Sequence, residues 1–256
     1  TPADTGIYTE EELVNALGIE KNSNLFGFST IEKTRQLAQQ FPYLEQVQVE
    51  VQMPATVVVK VQPAVERFAC MYSGGWMVLS DSLKILRTDV NQPDGLILLS
   101  IALPTDFAPT VGQNITPESY NSLLGGEQAT AETAGLQASA MQTLTEMLDG
   151  LQTNNLFDGT TALNIQDLSD IEFTYQNRVQ VLLGSETNLA YKLRLAAAAL
   201  TDPEKGLAAG DKGVLDISTQ RSDGDIRAYF APDTPEPTPA PEPTPSPETD
   251  PESPTE

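Results

Sequence analysis

Two runs of alternating apolar and polar residues stand near the start of the chain, on either side of a Met-Pro-Ala break at residues 53–55. In the first run Val47, Val49 and Val51 alternate with glutamines and a glutamate. After the break the alternation returns, at Val57, Val59 and Val61. A period of two places successive side chains on opposite faces of a strand. The pattern therefore predicts a β-hairpin within residues 41–63.

Two helical patterns precede this hairpin. Thr9 followed by Glu12 is the signature of a capping box, and Gly18 ends the apolar spacing that follows it. Ser29, with an acid three residues later, opens a second helix that Pro42 stops. The predicted order is helix, helix, strand, strand. Two strands alone make a marginal sheet, so we expect a further strand upstream of the first residue.

The pattern changes after Pro63 to short apolar strands separated by two helical stretches. The helical stretches, 134–151 and 188–200, carry apolar stripes. The predicted strands cover residues 68–72, 76–80, 96–101, 162–165, 171–175, 178–184, 213–218 and 226–230. Together these elements predict an α+β fold with a mostly antiparallel sheet.

The last 26 residues, from Ala231, have a separate composition. They contain ten of the nineteen prolines, seven acids and no base. Proline at alternate positions removes the hydrogen bonds of helices and sheets, so a disordered acidic tail is predicted. The chain then divides into residues 1–62, 63–230 and 231–256.

Charge and residue content restrict the chemistry. The net charge is −22, which disfavours nucleic acid and anionic lipid surfaces as partners. Histidine is absent, which removes the commonest general base and the usual zinc ligand. The single cysteine, Cys70, lies in an apolar run and predicts a buried thiol. No run of eighteen apolar residues occurs, and because the chain opens at Thr1 we expect a fragment whose anchoring segment lies upstream.

Four stretches resemble the extracytoplasmic part of the bacterial FtsQ/DivIB cell-division family. They are YTEEELVNALGIEKNSNLFGFS at 8–29, LAQQFPYLEQVQVEVQMPATVVVKVQPA at 37–64, LSDIEFTYQNRVQVLLGSETNLAYKLRLAAAAL at 168–200, and GVLDIS at 213–218. The sequence departs from the family at 80–86, where a glycine turn is replaced. It also lacks the arginine that the family places before the hairpin turn.

The resemblance implies a POTRA domain at 1–62, the family's β domain at 63–230 and a single transmembrane helix ahead of this fragment. It also implies a location outside the cell membrane at the division septum. The expected partners are DivIC (FtsB) and FtsL, two membrane division proteins, and contact with peptidoglycan is compatible with it. The protein would help to regulate septal peptidoglycan synthesis, with no enzymatic activity and no cofactor or metal.

The family's terminal strand is its docking surface, and the resemblance carries that role to this chain by position. An exposed strand edge can accept a partner strand through backbone hydrogen bonds. We expect Leu215 and Ile217 to point inward and Lys192 to lie on a solvated helix face. The candidate partner-binding residues are Leu215, Asp216, Ile217, Ser218 and Thr219, with Tyr229 and Phe230 as aromatic anchors and Arg221 and Arg227 as steering charges.

Three other functions compete with this interpretation. A POTRA module of a secretion or translocation system would bind passing polypeptides by strand addition. A cell-wall hydrolase without histidine would need a pair of carboxylates. Calcium binding at 221–226 has too few ligands for an EF-hand loop, so a turn is the better prediction there.

Overall fold

The computed structural model describes residues 7–19, 27–54, 56–103, 107–115, 131–219 and 225–233. The predicted tail beyond Asp233 lies outside the described residues, as does the turn residue Ala55. In the described part of the chain, no helix is long and apolar enough to cross a membrane.

The N-terminal unit has the predicted order of helix, helix, strand and strand. Its elements are α1 (Glu10–Leu17), α2 (Thr30–Gln40), β1 (Leu44–Gln52) and β2 (Thr56–Pro63). The capping box is confirmed: the Glu12 amide donates to Thr9 Oγ1 at 3.3 Å, and Glu12 Oε2 accepts from the Thr9 amide at 2.8 Å. Ser29 caps α2 by accepting from the Glu32 amide at 3.3 Å.

The valines of the hairpin pair across the two strands. Val47 faces Val61, while Val49 faces Val59 and Val51 faces Val57. Their side chains line one face of the hairpin, where Val49 is buried and Val47, Val57, Val59 and Val61 pack against the same small core. The resulting small core buries Leu13, Leu17, Leu37, Phe41, Leu44 and Val49.

The second unit is built on a nine-stranded sheet. Its strands are β3 (Phe68–Tyr72), β4 (Gly75–Leu79), β5 (Ile85–Asp89), β6 (Ile97–Ile101), β7 (Thr160–Ile165), β8 (Ile171–Tyr175), β9 (Val179–Gly184), β10 (Gly213–Asp216) and β11 (Tyr229–Pro232). Their order across the sheet is β11-β10-β9-β8-β7-β6-β3-β4-β5. Strand β5 is the one strand here that the sequence pattern did not predict.

The sheet is mixed but mostly antiparallel, as expected. Three neighbouring pairs are parallel, namely β3–β6, β6–β7 and β9–β10, and the other five are antiparallel. Parallel neighbours need a crossover connection. The helices α3 (Ala131–Thr153) and α4 (Leu189–Thr201) lie in the connections from β6 to β7 and from β9 to β10. A short 3₁₀ helix, Phe157–Gly159, follows α3.

The core of the second unit lies between the two long helices and one face of the sheet. From α3 it buries Met141, Leu144, Met147 and Leu151, and from α4 it buries Leu189, Leu193, Ala196 and Leu200. The inward residues of the strands complete it, among them Phe68, Phe173 and Val181. The opposite face of the sheet carries the alternate residues of the strands, many of which are polar and exposed, although Ala69 of β3 and Val78 of β4 are buried there.

Candidate functional site

Strand β10, which holds most of the candidate binding segment, is an interior strand. Leu215 faces Val181 of β9 on one side and Phe230 of β11 on the other. Both backbone edges of residues 213–216 are therefore occupied. The free edge at this end of the sheet belongs to β11, because no strand of the described chain pairs with its outer side. The segment 213–218 itself offers no open edge along β10.

The hydrogen-bond pattern shows which backbone groups of β11 point outward. The Asp233 amide donates to Lys212 O at 2.9 Å, so the backbone N–H of Asp233 faces β10. Inward and outward residues alternate along an antiparallel strand. Ala231 therefore also faces β10, whereas the N–H and C=O of Phe230 face the open side. Pro232 falls on the open side as well, where its missing N–H costs the sheet nothing.

The side chains at the β10–β11 end of the sheet alternate between the core and solvent. Leu215 and Ile217 are 1% and 0% exposed, which confirms that both point inward. Phe230 packs against the same core. Tyr229 has the opposite orientation and is 71% exposed. A partner at this edge therefore meets Tyr229 directly, while the three inward residues act by holding β10 and β11 in place.

Asp216 and Ser218 build the turn that ends β10. Asp216 Oδ1 accepts hydrogen bonds from the Ser218 amide at 2.8 Å and from Ser218 Oγ at 2.6 Å. The turn crosses close over Gly184, where an added Cβ would lie 2.8 Å from Ser218 Cβ. Gly184 also has a φ of +64°, a left-handed conformation that favours glycine. Thr219 is exposed at the far side of the turn.

The N-terminal unit is recognised by comparison with known families. Residues 5–62 match the family model of the POTRA domain, FtsQ-type. The N-terminal unit is an FtsQ-type POTRA domain. The match covers the hairpin and both helices, and it confirms the resemblance to the FtsQ/DivIB family within residues 5–62. No curated protein matches the chain.

The edge strand lies outside the POTRA domain, and its outward row of side chains continues across the sheet. Tyr229 faces Asp216, which is followed by Leu182 on β9 and Glu172 on β8. Val214 and Ala231 form the neighbouring pair on the same face. Leu182 and Ala231 were not predicted as surface residues, because the alternation was applied to 213–218 alone and Ala231 was assigned to the disordered tail, whereas it lies in β11.

Of the two candidate arginines, the structure describes Arg227 alone. Arg227 is exposed and pairs with Asp225 at 3.1 Å, so its charge is already partly matched. An exposed pair of this kind contributes at most about 1 kcal/mol. Arg221 lies outside the described residues. The turn predicted at 221–226 in place of a calcium site also lies mostly outside the described residues, which exclude 221–224.

The prediction that Lys192 lies on a solvated helix face is wrong. It is 3% exposed, and its ammonium donates to Ser185 O at 2.6 Å. Burial lowers the pKa of Lys192. The lysine ties α4 to the loop that follows β9, so its role is to hold the helix on the sheet. The apolar stripe of α4 did not reveal this, because Lys192 lies beside Leu193 at the margin of the stripe.

Two observations bear on chemistry rather than docking. Cys70 is 1% exposed, and burial raises the pKa of its thiol to about 12. A thiol in that environment reacts slowly, since the thiolate is the nucleophile. Among the described residues, no three His, Cys, Asp or Glu side chains are grouped so that they could hold a metal ion.

Proposed function

We propose that this protein is a non-enzymatic scaffold of bacterial cell division that binds partner proteins by strand addition at β11. The FtsQ-type POTRA domain supports the cell-division role. The observation that carries the binding mode is the open outer side of β11 beside the exposed Tyr229. The proposed partners are DivIC/FtsB-like and FtsL-like membrane proteins.

In this mode the partner adds a tenth strand to the sheet. The N–H and C=O of Phe230 supply the first backbone bonds, and the carbonyl of Pro232 can accept one more. Pro232 lacks an N–H, so the pairing weakens toward the tail. Tyr229 and Ala231 lie on the solvent face of β11, next to the added strand, and select its side chains, while Val214 lies one strand further in on the same face. A tyrosine at such a position gives a large contact area at a small entropic cost.

The resemblance to the family supports the cellular setting of this proposal. A membrane anchor ahead of the POTRA domain would hold the POTRA and second domains outside the cell membrane at the septum. Binding at β11 would then couple the protein to the partners that regulate septal peptidoglycan synthesis. The formal net charge of −22 favours protein partners over anionic polymers.

Disulfide trapping tests the proposed edge. An Ala231→Cys variant introduces an exposed thiol beside the open side of β11, while the buried Cys70 can stay. Single-cysteine variants of a DivIC/FtsB-like ectodomain, with the cysteine moved along its sequence, are mixed with it under mild oxidation. We expect cross-linking to peak at alternate partner positions, because side chains alternate along an added strand.

Thr88→Cys is the matched control for this experiment. Thr88 is exposed on β5, which is the opposite edge strand of the same sheet. Cross-linking that is equal for the two variants, or that shows no alternation along the partner, would contradict strand addition at β11.

A further inference from the structure

The junction between the POTRA domain and the second domain is short and tightly bonded. Only residues 64–67 connect β2 to β3. The first of them, Ala64, is buried, and its amide donates to Tyr43 O at 2.8 Å. Domains joined through small, polar interfaces are expected to move relative to each other. The contacts around this linker indicate the reverse.

Lys84, from the second domain, reaches into the POTRA domain. Its ammonium donates to Leu44 O at 2.7 Å and to Ala38 O at 3.4 Å, and the residue is 3% exposed. Ala38 lies in the last turn of α2, where carbonyl groups have no partner within the helix. That turn contains no basic residue of its own. Lys84 therefore supplies the positive charge that the negative end of the helix dipole favours.

The backbone that carries Lys84 is held by the second domain. The Lys84 amide donates to Ser80 Oγ at 3.3 Å, and the Ser80 amide donates to Lys84 O at 2.9 Å. The next residue, Ile85, exchanges backbone bonds with Gln113 and Gly112. Gly112 has a φ of +88°, and a Cβ there would lie 3.4 Å from Gln39 O at the end of α2. The loop and the lysine thus meet the same helix end.

Glu45 adds a charge to this junction. Both of its carboxylate oxygens are buried and accept no hydrogen bond within the described residues. Burial lowers the pKa of Lys84, and the Glu45 charge opposes that effect. A buried charge without a nearby counter-charge is costly. Removing the Lys84 ammonium would therefore leave both the helix end and Glu45 without compensation.

A second set of contacts closes over the linker itself. Glu66 of the linker accepts from Tyr43 Oη at 2.6 Å and from Arg87 Nε at 2.7 Å. A second bond, from Arg87 Nη2 at 3.1 Å, makes the arginine pair bidentate. The bond from Arg87 lowers the pKa of Glu66. One carboxylate therefore joins a POTRA tyrosine to an arginine on β5.

We propose that Lys84 caps α2 across the domain boundary and that, with the Glu66 contacts, it makes the two domains one rigid body. The positions of the POTRA domain and of the edge strand β11 are then fixed relative to each other. A partner bound at β11 is held at a set place with respect to the POTRA domain. This inference does not depend on which protein binds there.

Distance measurements between spin labels test the rigid junction. Labels are placed through Ile31→Cys on α2, 72% exposed, and Val90→Cys after β5, 86% exposed. The buried Cys70 stays unlabelled. We expect one narrow distance distribution, which Lys84→Met broadens at least about twofold as free domain motion returns. Lys60→Met, which removes an exposed lysine paired with Glu50 inside the hairpin, leaves the distribution narrow.

A second variant keeps the test decisive if Lys84→Met does not fold. Glu66→Gln with Arg87→Met changes only side chains that are 29% and 37% exposed, and circular dichroism checks its fold. The proposal predicts that this double variant also broadens the distance distribution. A distribution as narrow as that of the unsubstituted chain, in this variant or in folded Lys84→Met, would overturn it.

Discussion

Replacing Tyr229 with alanine should weaken binding of a DivIC/FtsB-like ectodomain by about 30-fold, which corresponds to about 2 kcal/mol. The side chain is 71% exposed, so its loss removes contact area from the partner and little from the fold. Its backbone continues to pair with Asp216 of β10. Isothermal titration calorimetry of the two purified ectodomains gives the change in dissociation constant.

Tyr191→Ala is the matched control for this measurement. Tyr191 is 42% exposed on α4, where its ring lies against the Arg194 guanidinium, and α4 packs on the other face of the sheet. The account predicts unchanged affinity for this variant. Equal loss of affinity in both variants would show that Tyr229 is no specific anchor, and full affinity of Tyr229→Ala would remove it from the interface.

Ile217→Asp should cost at least about 4 kcal/mol in the free energy of unfolding, because it places a charge in the apolar core without a partner. Ile217 is 0% exposed and packs with the inward residues of the sheet. Its amide also bonds to Leu182 O at 2.8 Å, so the segment is part of the sheet's framework. Urea denaturation followed by circular dichroism measures the change.

Thr219→Asp, two residues away, provides the comparison. Thr219 is exposed, so its replacement should change the free energy of unfolding by less than about 0.5 kcal/mol. Near-equal stability of the two variants would contradict the inward position of Ile217. Because Ile217→Asp destabilises the fold, a loss of binding in this variant reports on folding and cannot locate the interface.

Local patterns predicted much of the fold. The capping residues Thr9 and Ser29, the alternating valines of the hairpin and the apolar stripes of α3 and α4 each act over a few neighbouring residues. Such signals are readable because helix and strand periods differ. The inward positions of Leu215 and Ile217 follow from the same alternation.

The order of strands and the buried cations could not be predicted in this way. That β10 lies inside the sheet depends on Tyr229–Pro232 returning beside it, and strand pairing between distant segments has no local signature. Lys84 and Lys192 are buried because carbonyl groups elsewhere in the chain accept their bonds. Tertiary packing decides which carbonyl groups accept these bonds, whereas a lysine seen in the sequence alone predicts a solvated charge.

Amide hydrogen exchange at Phe230 tests strand addition at β11 most directly. The Phe230 N–H faces the open side in the free protein, whereas the Asp233 N–H is already bonded to Lys212 O. With saturating partner ectodomain, the account predicts that exchange at Phe230 slows by at least about 100-fold while exchange at Asp233 changes little. Unchanged exchange at Phe230 in the saturated complex would contradict the account.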